Sequence, residues 1–185
     1  FSGDTVITWE SLDFQPYFTA TASNIGYGWW SHDIGGHMMG YKNDELALRW
    51  LQLGVFSPIM RLHSTCCEFN GKEPWRYRKE VELIMDKLRH QMIPYLHTMN
   101  RRASEEGIPL IQPLYYQNPG KWDAFRMKNE YYFGSDILVN PITQPISTAT
   151  RMGKVMALLP EGTWIDLFTG TVYNGDRKIE LYRSL

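Results

Sequence analysis

The stretch "ASNIGYGWWSHD", residues 22–33, predicts an apolar strand that ends in polar side chains. The next stretch, "NDELALRWLQLGVF" at 43–56, predicts a helix capped by Asn43 or Asp44. A second short strand is predicted for "SPIMRLHS" at 57–64, ending in His63. Strands that alternate with helices are typical of β/α units and a parallel sheet.

A long amphipathic helix is predicted for residues 73–107, with Pro74 in its first turn and Gly107 at its end. Pro94 should kink this helix, because proline cannot donate the backbone hydrogen bond of a helix interior. Its charged side chains are expected to form a solvated face. These are Glu80, Glu82, Asp86, Lys87 and Arg89.

After Gly107 the sequence changes to short β-like pieces separated by turn residues, which predicts an all-β half. We therefore expect one α/β domain over 1–107 and a second, incomplete domain over 108–185. In the second half, Trp164 and Phe168 are expected on one face as core residues. Residues 131–133, "YYF", are compatible with either carbohydrate binding or packing between the domains.

Composition limits the classes of partner. The chain of 185 residues has 43% hydrophobic residues, enough for a sizeable core. Its 19 Lys and Arg against 20 Asp and Glu favour neither nucleic acid nor an anionic membrane as partner. The adjacent cysteines Cys66 and Cys67 fit neither a disulfide framework nor a spaced zinc motif, and no apolar run has the length of a membrane span. A cytoplasmic location is expected.

Candidate functional residues lie where predicted strands end, since active sites of β/α proteins gather at the carboxyl ends of strands. Asp33 follows Trp29, Trp30 and His32 there. Indole faces with polar neighbours are a usual way to hold a sugar. Each residue also has an ordinary structural interpretation. A Trp pair is more often core, a lone His or Arg more often structural, and an Asp after Gly, such as Asp4, more often a turn residue.

Five motifs, taken together, resemble the family 31 glycoside hydrolases, which include α-glucosidases and α-xylosidases. In chain order they are "SGDTVITWESL" (2–12), "GYGWWSHDIGGH" (26–37), "PIMRLHS" (58–64), "FGSDILVNPIT" (133–143) and "LLPEGTWIDLFTG" (158–170). The resemblance covers essentially the whole chain. It implies the last part of a catalytic (β/α)8 barrel, a TIM barrel, followed by the start of a β-sandwich domain.

The resemblance also implies roles for single residues. Asp4 matches the general acid/base, and Asp33 and His63 match residues that bind the sugar whose bond is cut. Arg61 and Trp30 resemble positions that support the pocket. His37 stands where many relatives carry an aromatic residue, so a different leaving-group preference is expected at the rim. The expected substrate is an α-linked oligosaccharide carrying glucose or xylose at its non-reducing end. Neither a metal nor an organic cofactor is implied.

The nucleophile of the family is an Asp in a motif similar to Asp-Met-Asn-Glu, and this sequence contains no such motif. Retaining hydrolysis needs two carboxylates about 5 to 5.5 Å apart. We therefore expect the chain to need the preceding barrel segments, from the same or a companion polypeptide, and to be inactive alone. A non-catalytic sugar-binding or structural piece is the alternative, and a lyase variant of the same framework stays open.

Overall fold

The computed structural model describes residues 2–64, 71, 73, 76 and 84–185. The predictions for Cys66, Cys67, Pro74, Glu80 and Glu82 lie outside the described residues, as does the Asp86 side chain. Within the described part, the first half is built of helices and extended loops and the second half mainly of antiparallel strands.

Helix α1 spans Trp9–Ala22 and was not predicted from the sequence. It begins at Thr8, whose hydroxyl accepts a hydrogen bond from the Ser11 amide at 3.2 Å. The side-chain cap satisfies one of the amides that the first helical turn leaves without a partner. The helix packs against both α2 and β1, so it joins the two halves of the chain.

Helix α2 spans Asp44–Val55 and confirms the predicted helix. Asn43 is its cap, because its side-chain oxygen accepts from the Leu46 amide at 3.0 Å. The face of α2 that carries Trp50 and Leu53 is completely buried. This burial anchors α2 beneath the loops described next.

The two strands predicted for 22–33 and 57–64 do not form: residues 22–33 contain no strand, and within 57–64 only Leu62 makes a parallel bridge, to Ile34. Ser23–Ile25 form one 3-10 turn that ends at Gly26 with φ 74°, a backbone angle incompatible with a strand. The prediction of a strand is therefore wrong at this point. The parallel alignment is present, however: Ile34 bridges Leu62, and Val6 bridges Met38. Three chain segments thus lie side by side in parallel.

Over residues 84–107, the later part of the predicted long helix, the structure has two elements. A π-helical segment spans Ile84–Arg89, and helix α3 spans Ile93–Glu106. Pro94 lies in the first turn of α3, where no intrahelical amide donor is needed, so it starts a helix rather than kinking one. Gly107 ends α3 with φ 71°, as predicted.

The second half contains seven strands and one short helix, α4, at Trp122–Arg126. Strands β1 (Ile111–Pro113), β2 (Tyr131–Phe133) and β3 (Ile137–Val139) form an antiparallel sheet in that order. Strand β4 (Gly153–Leu159) pairs with β7 (Arg177–Arg183), and β5 (Thr163–Ile165) pairs with β6 (Val172–Asn174). The Gly175 amide donates to the Gly162 carbonyl at 2.7 Å, so the two pairs form one long hairpin.

A shared core joins the two halves. Trp50 and Phe133 belong to one buried cluster, and the Tyr131 hydroxyl donates to the Phe56 carbonyl at 2.9 Å. Tyr131, Tyr132 and Phe133 are each at most 3% exposed. Between the two interpretations of this stretch, the structure therefore supports packing, because none of these rings is available to a sugar.

Two predicted roles need correction. Phe168 is 69% exposed because it lies in the turn of the hairpin, beyond the end of β5, whereas Trp164 packs into a small core cluster. Arg89 does not belong to a solvated face. Its guanidinium donates to three backbone carbonyls, those of Val55, Ser57 and Pro58, at 2.6 to 3.0 Å. Lys87 is exposed, as predicted.

In the part of the chain that the structure describes, no helix combines the length and apolar character needed to cross a membrane.

Candidate active site

Four side chains from three separate parts of the sequence meet at one end of the parallel segments. They are Asp4, Asp33, His37 and His63, and one nitrogen or oxygen atom of each lies within 4.8 Å of the corresponding atoms of the others. All four were predicted as site residues. Two parallel bridges bring these side chains together. Val6 pairs with Met38 and Ile34 pairs with Leu62, and each of the four site residues lies one or two positions from a bridged residue.

The loop that carries Asp33 and His37 is held by close backbone packing. Gly36 has φ 79°, and a β-carbon at this position would lie 2.8 Å from the Ile7 side chain. Any larger residue would therefore push the loop away from the segment of Asp4. The His37 amide donates to the Thr5 carbonyl at 2.7 Å, which fixes His37 beside Asp4.

Asp33 is the buried anion of the site. Its side chain is 0% exposed, and Arg61 donates to its Oδ1 atom at 2.7 Å. Arg61 also donates to the Ser31 hydroxyl at 3.2 Å, so its guanidinium is held from two sides. The second oxygen, Oδ2, is buried and has no hydrogen-bond partner among the described residues. It keeps an unused acceptor, which a bound hydroxyl group could satisfy.

Asp4 and the two histidines form the accessible side of the site. The Asp4 side chain is 49% exposed, and its Oδ2 atom lies 3.7 Å from His37 Nε2. The rings of His37 and His63 stack with centroids 4.4 Å apart and an interplanar angle of 26°. His37 thus contacts both the candidate acid/base and a candidate sugar-binding residue.

Trp30 is buried among aromatic side chains. It is 6% exposed and packs edge-on against Phe18 and Tyr27, with ring centroids 4.6 and 5.4 Å away. A buried indole cannot offer its face to a sugar, and the pocket-supporting role that the resemblance implies for Trp30 stays a prediction. Trp29, in contrast, is 55% exposed.

His32 has a structural role despite its place in the motif. It is fully buried, Trp50 Nε1 donates to its Nδ1 at 3.2 Å, and its Nε2 lies 2.9 Å from the Ser57 hydroxyl. Ser57 in turn donates to the Leu53 carbonyl at 2.8 Å. The neutral Nε2–H tautomer satisfies this chain of bonds. Burial, together with the charge of Arg61, lowers the pKa of His32 to about 3.

One contributor to the site was not predicted. The Ser31 hydroxyl accepts a hydrogen bond from Arg61 and so orients it. The sequence does not indicate this role, since single serines are common in loops. Only the tertiary contact identifies it.

The fold and the site together define an α/β protein with a carboxylate and imidazole cluster where parallel segments end. Residues 1–99 match the glycosyl hydrolases family 31 TIM-barrel domain, and residues 107–184 match the glycosyl hydrolase family 31 C-terminal domain. The chain therefore belongs to glycosyl hydrolase family 31. This confirms the resemblance carried by the five motifs.

Individual relatives agree with the family. The chain is 32% identical over 178 residues to alpha-glucosidase 2 of Bacillus thermoamyloliquefaciens, covering 95% of this chain and 22% of that protein. It is 28% identical to an alpha-xylosidase of Saccharolobus solfataricus, covering 100% of this chain and 25% of that protein. Among solved structures, an alpha-xylosidase from a soil metagenome complexed with xylose superimposes with TM-score 0.83 at 30% identity, covering 98% of this chain and 30% of that one.

The chain thus spans between about a fifth and a third of the length of these relatives, 22% to 30%.

Proposed function

We propose that this chain supplies the acid/base half of a retaining α-glycoside hydrolase site, which releases α-linked glucose or xylose from the non-reducing end of oligosaccharides. The observation that carries this proposal is the meeting of accessible Asp4 with buried Asp33 and with His63. A general acid must reach the leaving oxygen, whereas a residue that orients a sugar hydroxyl benefits from being fixed. The two carboxylates differ accordingly: the Asp4 side chain is 49% exposed, and the Asp33 side chain is 0% exposed.

In this proposal Asp4 protonates the leaving group and later deprotonates the attacking water. Asp33 accepts a hydrogen bond from a sugar hydroxyl through Oδ2, while Arg61 holds Oδ1 in place. His63 provides a second directed contact to the same sugar. His37, next to Asp4, lies on the side where the leaving group would depart.

Asp33 does not fit the role of nucleophile. Its Oδ1 atom accepts from Arg61, and the resemblance assigns it to binding the sugar, while the family's nucleophile lies in a motif that this sequence does not contain. The attacking carboxylate would therefore come from barrel segments outside this chain, in the same or a companion polypeptide. On this proposal, residues 1–107 form the last part of a (β/α)8 barrel and residues 108–185 begin a β-sandwich domain. The chain alone would be inactive.

The second candidate is a non-catalytic sugar-binding or structural piece. The observation that favours it is that Asp4 is the single accessible carboxylate in the described cluster of four side chains. A binding site needs no second carboxylate. The cytoplasmic location expected from the sequence stays a prediction.

The decisive experiment is Asp4→Ala in the complete enzyme, assayed on maltose and on p-nitrophenyl α-glucoside. Loss of a general acid should lower kcat/KM on maltose by about 10²- to 10⁴-fold, and by much less on the aryl glycoside, whose leaving group needs little protonation. Asp44→Ala is the matched control, because Asp44 is an exposed aspartate at the start of α2. It should leave both activities unchanged.

Equal activity of Asp4→Ala and wild type on maltose would refute the acid/base role. Asp33→Ala and His63→Ala test the binding roles: each should lower kcat/KM by 10²-fold or more, on the order of 3 kcal/mol of transition-state binding, with thermal unfolding preserved. Sugar binding without turnover in the complete protein would favour the second candidate.

A further inference from the structure

We propose that Asp4, Asp33, His37 and His63 form a binding site for a divalent transition metal of the zinc type, and that this metal competes with the sugar for the same side chains. The competition rests on the proposed function, but the metal binding does not.

The donor set is the first argument. Two carboxylates and two imidazoles are the ligands that Zn²⁺ accepts in proteins, whereas Mg²⁺ and Ca²⁺ prefer oxygen ligands alone. One donor atom of each side chain lies within 4.8 Å of the others. Ligands of tetrahedral zinc at about 2.0 to 2.2 Å are about 3.3 to 3.5 Å from one another. The most distant donors must therefore approach one another by up to about 1.5 Å, through rotation of the side chains.

The site combines one fixed side chain with more exposed ones, which makes this approach of the donors feasible. Asp33 is fully buried and held by Arg61, so it forms a fixed point, while Asp4 is 49% exposed and His37 19% exposed. The exposed side chains can turn toward a metal that enters from solvent on the side of Asp4. A zinc site needs such an entry path as well as its ligands.

Unused polar atoms are the second, independent argument. Asp33 Oδ2 and His37 Nδ1 are buried and lack a hydrogen-bond partner among the described residues. Buried polar atoms in native proteins are nearly always satisfied, so Asp33 Oδ2, which belongs to the four-residue cluster and is held in place through Oδ1, points to a missing ligand.

Binding is tested by titrating Zn²⁺ into the complete folded protein in competition with a chromophoric chelator. We expect one strong site per chain, weakened about 10-fold or more in His37→Gln and in His63→Gln, because each removes one of four ligands. His97→Gln is the matched control, since His97 is exposed on α3 and lies outside the cluster. Co²⁺ in place of Zn²⁺ should give the intense visible absorption of a four-coordinate site in wild type and lose it in both variants.

Competition is tested on p-nitrophenyl α-glucoside, where Zn²⁺ should raise the apparent KM and leave kcat unchanged. Absence of strong Zn²⁺ binding, or equal binding by wild type, His37→Gln and His63→Gln, would overturn the site. Inhibition that does not depend on substrate concentration would overturn the competition. If Zn²⁺ binds through these histidines to a protein that cleaves no glycoside, the metal site stands and the proposed function fails. If the complete enzyme cleaves the glycoside but binds no Zn²⁺, the proposed function stands and the metal site fails.

Discussion

Glu130 lies buried in the second half of the chain, at 3% exposure, and replacing it by glutamine should stabilise the protein. Burial raises the pKa of Glu130 from 4.5 to about 8, although the Leu158 amide and the Asn140 side chain lower it in part. The Leu158 amide donates to Glu130 Oε2 at 2.9 Å. Glu130 Oε1 and Asn140 Oδ1 are buried without a partner among the described residues.

The sign follows from proton uptake. Between pH 4.5 and about 8 the folded protein holds a proton on Glu130 that the unfolded chain has released, so the free energy of unfolding falls as pH rises through this window. One pKa unit corresponds to about 1.4 kcal/mol, so the loss reaches about 3 kcal/mol at pH 7. Glutamine cannot ionise. Its carbonyl can still accept from Leu158, and its NH₂ group can donate toward Asn140 Oδ1.

The measurement is urea unfolding of wild type and Glu130→Gln in the complete protein at pH 5, 7 and 8. The variant should be more stable by less than about 1 kcal/mol at pH 5 and by about 3 kcal/mol at pH 7. Glu161→Gln is the control, because Glu161 is exposed in the hairpin. Its difference from wild type should stay near zero at each pH. A stability difference for Glu130→Gln that does not change with pH would refute this reasoning.

Two further predictions concern groups that the fold buries. Folding lowers the pKa of His32 from 6.5 to about 3. Between these pH values His32 is protonated in the unfolded chain and neutral in the folded protein. Acidification from pH 7 to 5 should therefore lower the free energy of unfolding by about 2 kcal/mol through His32. In urea titrations, the free energy of unfolding of His32→Gln should fall less over this pH range than that of wild type. Equal falls in both proteins would contradict this prediction. Arg89→Lys should lower the free energy of unfolding by about 2 kcal/mol, because a lysine cannot reach all three carbonyls, whereas exposed Lys87→Met should change it by less than about 0.5 kcal/mol in the same calorimetric scan.

Local signals in the sequence predicted several features correctly. Asn43 caps α2 and Gly107 ends α3, because capping depends on residues within one turn of the helix end. The mainly β character of the second half follows from its short apolar runs and turn residues, although the short helix at Trp122–Arg126 was not predicted. Five motifs in order were enough to identify the family, and they also named the four side chains of the site.

Features that depend on distant partners could not be predicted in the same way. Pro94 starts α3 instead of kinking a longer helix, because the preceding helical segment ends just before it. Phe168 is exposed because the hairpin turn falls just after β5. Arg89 and His32 have ordinary sequence contexts. Their roles follow from the carbonyls and hydroxyl that surround them once α2 is packed.

The sequence by itself determined the family and the change to a mainly β second half, and it predicted the candidate acid/base and sugar-binding residues. Tertiary structure alone decided their states: which carboxylate is buried against Arg61, which is open to solvent, and that His37 lies against both Asp4 and His63. The physical reason is range. Capping and turn formation act between neighbours in the chain, whereas burial, ion pairing and the meeting of the four site side chains depend on segments far apart in the sequence, such as those of Asp4 and His63, which are 59 residues apart.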